Sequence, residues 1–344
     1  MRKIKLKRSN MRIYKIIFLA FCFIFSMLHS YATQSEIPQE ITYTTYLLNK
    51  HKLFIANSPK GILFAGIQGK DSQNCLLNEE IPLKNGSLKC GIYSFKVHNG
   101  KIEETHNLLI QTSFSLKAQE AIYEHPNYPD NKISILFQCS TDSRIQKLLE
   151  QMYQKNFSCG SGKELFYEKA KASMQEYIKN ANTDKKEAQE LLKYSPLEDN
   201  VMDMLVYFDD ELLVFERSSY LYTGGAHGMP TKQGIILSKS QGLIPIDKNI
   251  NLNNHQLKTL LWKKYREYLK RLPKETPPPQ TYINFEDFKV SDSILLDYDG
   301  VIFLYQPYEI LPYSYGIIRL KIPLIALKNF EDFKNSVFEY LLKH

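Results

Sequence analysis

Tyr222-Thr223-Gly224-Gly225-Ala226-His227-Gly228 decides the reading of this chain, because a tyrosine-bearing strand that runs into two adjacent glycines asks for one backbone shape. Glycine has no Cβ and enters positive φ at little cost, so Gly224-Gly225 reverses a strand ending at Tyr222 where other residues would resist. Such a turn exposes successive backbone N–H groups. They either form a nest for a carboxylate or phosphate, or bond to a neighbouring strand and stiffen the loop. Period-two alternation sets Tyr220 and Tyr222 on one side of the strand. A second run, Gln306-Pro307-Tyr308-Glu309-Ile310-Leu311-Pro312-Tyr313-Ser314-Tyr315-Gly316, again couples tyrosines to turn residues. Read as a strand, it places Tyr313 and Tyr315 on a common side.

Tyr220, Tyr222, Gly224, Gly225, His227, Tyr308, Glu309, Tyr313 and Tyr315 are therefore the candidate binding residues. Tyrosine anchors protein interfaces and stacks on sugars, since it offers a large rigid face with a polar tip. The alternative is that these rings only cover the sheet. An imidazole side chain can act as a base, a ligand or a structural donor, and His227 is a candidate for each role. Glu309 lies between apolar and aromatic neighbours, where a buried carboxylate needs a donor, and His227 is the donor this reading supplies. The chain has no His-Glu-x-x-His and no Gly-x-Ser-x-Gly. Gly162-Lys163 is followed by Glu164, with Phe157 where a phosphate loop needs its first glycine. No catalytic residue is assigned; His227 and Glu309 are the pair a hydrolase would use.

Residues 1–32 read as a secretory signal. Lys and Arg crowd the start, 16–28 is an uncharged apolar run, and Ser30-Tyr31-Ala32 offers small residues for cleavage before Thr33. The run is shorter than the ~20 residues of a spanning helix. Reading on to Tyr31 leaves an uncleaved inner-membrane anchor as the alternative. Met11 opens a second complete signal, so translation can start at either methionine.

The signal carries seven of the 44 Lys and Arg and no acidic residue, leaving 37 basic against 37 acidic residues beyond it. Nucleic-acid binding needs a basic footprint, and this balance removes it. Beyond Cys22, four cysteines remain at 75, 90, 139 and 159. An even number in an exported chain implies two disulfides. Of three pairings, Cys75–Cys90 and Cys139–Cys159 close the short loops. Neither paired Cys-x-x-Cys spacing nor neighbouring histidines suggest a metal, and no cofactor is expected.

Residues 33–130 form a β-rich domain with strands expected at 41–48, 53–56, 62–67, 91–97 and 108–116. Residues 131–195 form a connecting segment: a strand at 133–138, a helix over 143–154 and a long helix over 163–194. In 196–344, strands are expected at 201–207, 212–222, 233–237, 293–296, 301–305 and 317–322. An amphipathic helix spans 255–272 and a closing helix 330–342. The fold class is α+β, with a C-terminal antiparallel sheet packed with helices. Charge divides in this half: Lys258, Lys263, Lys264, Arg266, Lys270 and Arg271 mark the amphipathic helix. Glu286, Asp287, Asp292, Asp297, Asp299 and Glu309 follow it and are expected to attract a cationic partner.

The two signatures resemble those of the RsiV-type domain family, which occurs in lysozyme-binding anti-sigma factors, beside some polysaccharide deacetylase domains, and in exported proteins of unknown role. The likeness spans 201–327. It rests on Tyr220 and Tyr222 to Gly228, and on Tyr308, Glu309, Ile310, Pro312, Tyr313 and Gly316 followed by Ile322-Pro323. Met229-Pro230, Tyr315 and Arg319-Leu320 depart from the family pattern close to the candidate surface. The resemblance implies an α+β domain without established chemistry. Neither a deacetylase domain nor a sigma-binding segment is legible.

These readings converge on a non-catalytic, exported, periplasmic binding protein. Its expected partner is an envelope protein or peptidoglycan-related component, with a lysozyme-like muramidase as the sharpest candidate. The alternatives are an envelope hydrolase using His227 and Glu309, and a structural envelope component. Membrane contact is expected only through an uncleaved signal.

Overall fold

The computed structural model describes residues 40–48, 50–68, 72–77, 82–103, 108–180, 185–272, 282–334 and 336–342. The expected signal and the Pro277-Pro278-Pro279 run lie outside the described residues, among which no helix is long and apolar enough to cross a membrane. Strands come first: β1 (Glu40–Leu48), β2 (His51–Ser58), β3 (Gly61–Gln68), β4 (Gln73–Asn74), β5 (Leu76–Leu77), β6 (Gly86–Cys90), β7 (Tyr93–His98), β8 (Lys101–Ile102), β9 (Leu108–His125) and β10 (Tyr128–Cys139). Helices α1 (Ser143–Tyr153), α2 (Gly162–Asn180) and α3 (Lys185–Tyr194) follow. The chain then forms β11 (Glu198–Phe208), β12 (Leu212–Tyr222), β13 (Met229–Ser238), β14 (Gly242–Leu243), α4 (Ile246–Asn249) and α5 (His255–Arg271). It closes with β15 (Ile294–Asp297), β16 (Gly300–Tyr305), a 3-10 turn at Tyr313–Tyr315, β17 (Ile318–Pro323), α6 (Leu324–Leu327), α7 (Glu331–Lys334) and a 3-10 turn at Glu339–Leu342.

The fold is α+β, built on a ten-stranded sheet in the order β14-β13-β12-β11-β10-β9-β1-β2-β3-β4, with smaller sheets β15-β16-β17 and β5-β6-β7-β8. Neighbours in the long sheet are antiparallel except β10 and β11, where Lys132 pairs with Glu198 and Leu136 with Met202 in parallel. Parallel neighbours need a long crossover, and α1 to α3 supply it. The long sheet thus runs across the boundaries expected near 130 and 195, and Glu40–His344 clusters as one compact unit.

Local chemistry explains the helix ends. Asp142 caps α1 by accepting from the N–H groups of Arg144 (2.9 Å) and Ile145 (3.4 Å), and Gln154 closes it with a φ of 53°. Asn254 caps α5 in the same way through Gln256 and Leu257. A side-chain acceptor there satisfies donors that the first turn leaves unpaired. The single helix expected over 163–194 is instead α2 and α3. Asn180 is the last residue of α2, and asparagine favours helix ends over helix interiors; 181–184 lie outside the described residues. The expected closing helix is likewise replaced by α7 and the 3-10 turn. Ser336 Oγ donates to Phe333 O (2.9 Å) and accepts from Phe338 N–H (3.1 Å), offering the backbone a local alternative.

Aromatic packing joins the two halves of the long sheet. Phe208, at the end of β11, meets Tyr43 at 5.2 Å, Phe54 at 5.5 Å and Phe114 at 5.9 Å between ring centroids. Tyr298 stacks on Phe54 at 5.3 Å and lies over Gly66, where a Cβ would overlap its ring. The sheet therefore curls so that β11 closes over β1 to β3. Buried Asp209 fixes the β11–β12 turn. It accepts from the hydroxyls of Tyr207 (2.6 Å) and Tyr340 (2.5 Å) and from the N–H groups of Glu211 and Leu212. A second cluster, including Leu53, Ile55, Ile67, Leu88 and Phe95, packs the four-stranded sheet. Both expected disulfides, Cys75–Cys90 and Cys139–Cys159, are formed; disulfides of this kind fit an oxidising compartment.

Glu216 of β12 joins three strands, pairing with Lys232 of β13 and Arg319 of β17. Burial alone would raise its carboxyl, but the hydrogen bonds and charge of Lys232 and Arg319 hold it below the ordinary glutamate range. The unfolded chain then binds this proton more readily. The stabilisation is complete above the ordinary glutamate range and is lost as pH falls through the lowered folded value. Glu216→Gln should cost about 2 kcal/mol at neutral pH and flatten the fall in stability on acidification, as read by urea denaturation at stepped pH.

Candidate functional site

Both signatures meet along the start of β13. Gly224 and Gly225 take φ of 88° and 98°, so the chain turns after Tyr222 as the glycines require. Tyr222 closes this turn by donating its hydroxyl to Gly225 O (3.1 Å). A Cβ on Gly224 would crowd Ser195 beyond α3, and one on Gly228 would overlap the ring of Tyr220. Tyr220, opposite Pro230 in the β12–β13 register, thus lies against bare backbone.

Gly228 O is the meeting point. Tyr313 donates its hydroxyl to it at 2.7 Å, and His227 Nδ1 lies 3.1 Å from the same oxygen. The rings of His227 and Tyr313 stack at 3.8 Å with 20° between planes. Tyr308 stands 5.9 Å from Tyr313 by ring centroid. Burial, then the neighbouring hydroxyls of Tyr220 and Tyr308, push Tyr313 above the usual tyrosine range.

The second signature is held by Gln306, whose side chain imitates a strand partner. Its Oε1 accepts from Lys232 N–H (2.9 Å) and its Nε2 donates to Lys232 O (2.7 Å). Tyr265 of α5 donates to Ile310 O at 2.9 Å, while Ile310 and Leu311 are buried. Tyr308 adopts a φ of 73°, unusual for a residue with a Cβ. Its N–H donates to Leu311 O (2.9 Å) and its carbonyl accepts from the Tyr282 hydroxyl (3.1 Å).

Two expectations need correction. Tyr313 and Tyr315 are not on a strand but on a 3-10 turn. With about three residues per turn, positions i and i+2 diverge. Tyr313 joins His227, whereas Tyr315 neighbours Tyr265 and Tyr268 of α5. Nor is His227 the donor to Glu309. Glu309 Oε2 accepts from Gln306 N–H at 2.7 Å, closing its own turn, and no hydrogen bond or ion pair joins it to His227 among the described residues. Although the Glu309 side chain is exposed, the protein around it raises its carboxyl, opposed by the Gln306 N–H and reinforced by Asp292.

The acidic segment is partly compensated. Lys321 pairs with both Asp297 (2.8 Å) and Asp299. Burial and the bond with Asp299 push Asp297 up to about 6, while Asp299 is lowered because bonds to Asp297 and Lys321 outweigh its own burial. Gln306 and Tyr282 are positions that hold the second signature in place and to which motif reading assigns no role. Gln306 stood inside the second signature, but its partner is far along the chain. Cavities of about 500 Å³ beside α1 and about 360 Å³ between β3 and β15 contain no residue of either signature. Among the described residues, no group of three or more His, Cys, Asp or Glu could hold a metal ion.

Residues 248–324 match the family model described as a protein of unknown function (DUF3298), and residues 99–230 match the model described as Deacetylase PdaC. The second signature falls in the first of these matches and the Tyr220–Gly228 signature in the other. Family likeness to a deacetylase, illegible in the sequence, thus enters through 99–230. A DUF3298 family protein from Bacteroides fragilis is 19% identical, covering 62% of this chain and 92% of its own, with a TM-score of 0.49. One from Pseudomonas aeruginosa has the same identity and coverage and a TM-score of 0.40. No curated protein matches significantly.

Replacing Gln306 with Ala removes both bonds to Lys232 and should speed amide exchange of the 229–234 segment by roughly tenfold, about the effect of one net hydrogen bond. Hydrogen–deuterium exchange mass spectrometry reads this directly.

Proposed function

We propose that the surface formed by Tyr220, Tyr222, His227, Tyr308 and Tyr313 is the recognition platform of an exported, periplasmic, non-catalytic binding protein. The observation that carries this reading is the His227–Tyr313 stack, with the Tyr313 hydroxyl already committed to Gly228 O. Tyr222 is committed in the same way to Gly225 O. Rings fixed by backbone bonds lose little entropy on binding and present their faces to a partner. A hydrolase would need His227 and Glu309 to share a substrate atom. Their separate bonding, to Gly228 and Gln306, favours binding over that chemistry.

The partner is a protein or cell-wall component of the envelope. The resemblance to RsiV-type domains makes a basic, lysozyme-like muramidase the first to test, and intact peptidoglycan sacculi the second. Protein spanning 33–344 should be retained by immobilised lysozyme or by sacculi at low salt. Tyr222→Ala/Tyr313→Ala should weaken retention by about 2 kcal/mol, roughly thirty-fold in Kd. Exposed Tyr308→Ala serves as a second variant that leaves the fold intact. Retention by sacculi alone removes the muramidase version; retention by neither, or retention indifferent to all three tyrosines, removes the platform.

A further inference from the structure

The β-rich half carries a second surface, at the end where the β1–β2 turn, the start of β9 and the β6–β7 turn converge. Register pairs bring these pieces together: Leu48 lies opposite both His51 and Leu108. His51 Nδ1 lies 3.3 Å from the Tyr93 hydroxyl, with ring centroids 5.5 Å apart. Tyr93 pairs with Cys90, which is bonded to Cys75, and Leu76 pairs with Lys89.

Four aliphatic side chains project from this end: Ile92 is 84% exposed, Ile110 67%, Leu76 65% and Leu109 64%. Single exposed apolar residues are ordinary, but several drawn to one end from three separate segments mark an interaction site. Exposed Lys50 and Lys89 flank them and form no ion pair among the described residues, while Asp210 is held by Lys52. Protein interfaces draw mainly on aromatic and arginine anchors in a packed centre. Exposed aliphatic residues at the β6–β7 turn and on the neighbouring ends of β5 and β9, beside lysines without an ion pair among the described residues, instead suit an interface with acyl chains below and anionic headgroups above.

We infer that this end of the molecule docks on an anionic phospholipid bilayer, with Leu76, Ile92, Leu109 and Ile110 entering the headgroup–acyl boundary and Lys50 and Lys89 meeting the phosphates. The contact is peripheral and independent of the aromatic platform. The Cys75–Cys90 bond holds Leu76 and Ile92 to one corner, so docking requires the oxidised protein.

The test is cosedimentation of the oxidised protein spanning 33–344 with vesicles of phosphatidylethanolamine and phosphatidylglycerol, against vesicles of phosphatidylcholine alone. Preferential sedimentation with the anionic vesicles, weakened by salt, is expected. Ile92→Asp/Ile110→Asp should reduce it at least about tenfold, and Lys50→Glu/Lys89→Glu should abolish the preference for anionic lipid. Leu76→Asp/Leu109→Asp repeats the apolar arm at different positions, and near-ultraviolet circular dichroism confirms that each variant is folded. Absence of sedimentation by the parent protein, or sedimentation that folded variants of both kinds leave unchanged, overturns the inference.

Discussion

The arrangement depends on the missing side chains at Gly228 and Gly234 of the β13 strip. A Cβ on Gly234 would overlap the carbonyl of Ile294, so only glycine lets β15 lie against the long sheet while Ser293 Oγ accepts from Gly234 N–H at 3.0 Å. A Cβ on Gly228 would overlap the Tyr220 ring. Between them, Lys232 gives both backbone groups to Gln306. The small sheet and the second signature therefore dock on one edge of backbone, and neither can shift without breaking the other's bonds. Interiors packed this closely transmit displacement rather than absorb it.

Energetically, the same strip is where charge is buried. Glu216 gives its carboxylate to Lys232 and Arg319, while Arg217, the next residue, points to the opposite face and grips Asp203 through bonds of 2.7 and 2.9 Å. A buried ion pair adds little net stability over apolar packing, yet removing one partner strands the other. Their effect is to fix which residues of β11, β12 and β13 face which layer, since a one-residue slip would invert every side chain. Apolar packing of Phe208 and Tyr298 supplies the bulk of the attraction that curls the sheet.

What the sequence disclosed follows from the range of each interaction. The double-glycine turn, the cysteine pairing by short loops and the amphipathic face of α5 are encoded within some twenty residues and are legible there. Leu257, Leu261 and Tyr265 are indeed the buried stripe of that helix. Sequence reading fails where a distant partner decides. Tyr313-Ser314-Tyr315 has the alternation of a strand, but a 3-10 turn leading into Gly316 and a bond to a residue 85 positions away set its geometry. Glu309 has the neighbours of a carboxylate that needs a distant donor, but its partner lies three residues away in a local turn. Gln306 gave no signal, because an amide side chain that replaces a strand neighbour is recognisable only once the neighbour, Lys232, is in place.

Tyr308 shows what the tethering accomplishes. A non-glycine residue at a φ of 73° carries a strain of about 1–2 kcal/mol, and such strain persists only where surrounding structure over-determines it. Leu311 O, the Tyr282 hydroxyl and the buried Ile310–Leu311 pair provide that constraint. The extended alternative for Tyr308 would break its bond to Leu311 O, the contact that closes the loop. Held as it is, the residue stays 48% exposed, with its ring beside Tyr313. The backbone cost is met within the fold itself, so the ring is held in place without any further contact. Strain at Tyr308 and stacking at His227 are thus two parts of one arrangement, which fixes the aromatic rings of the two signatures in place.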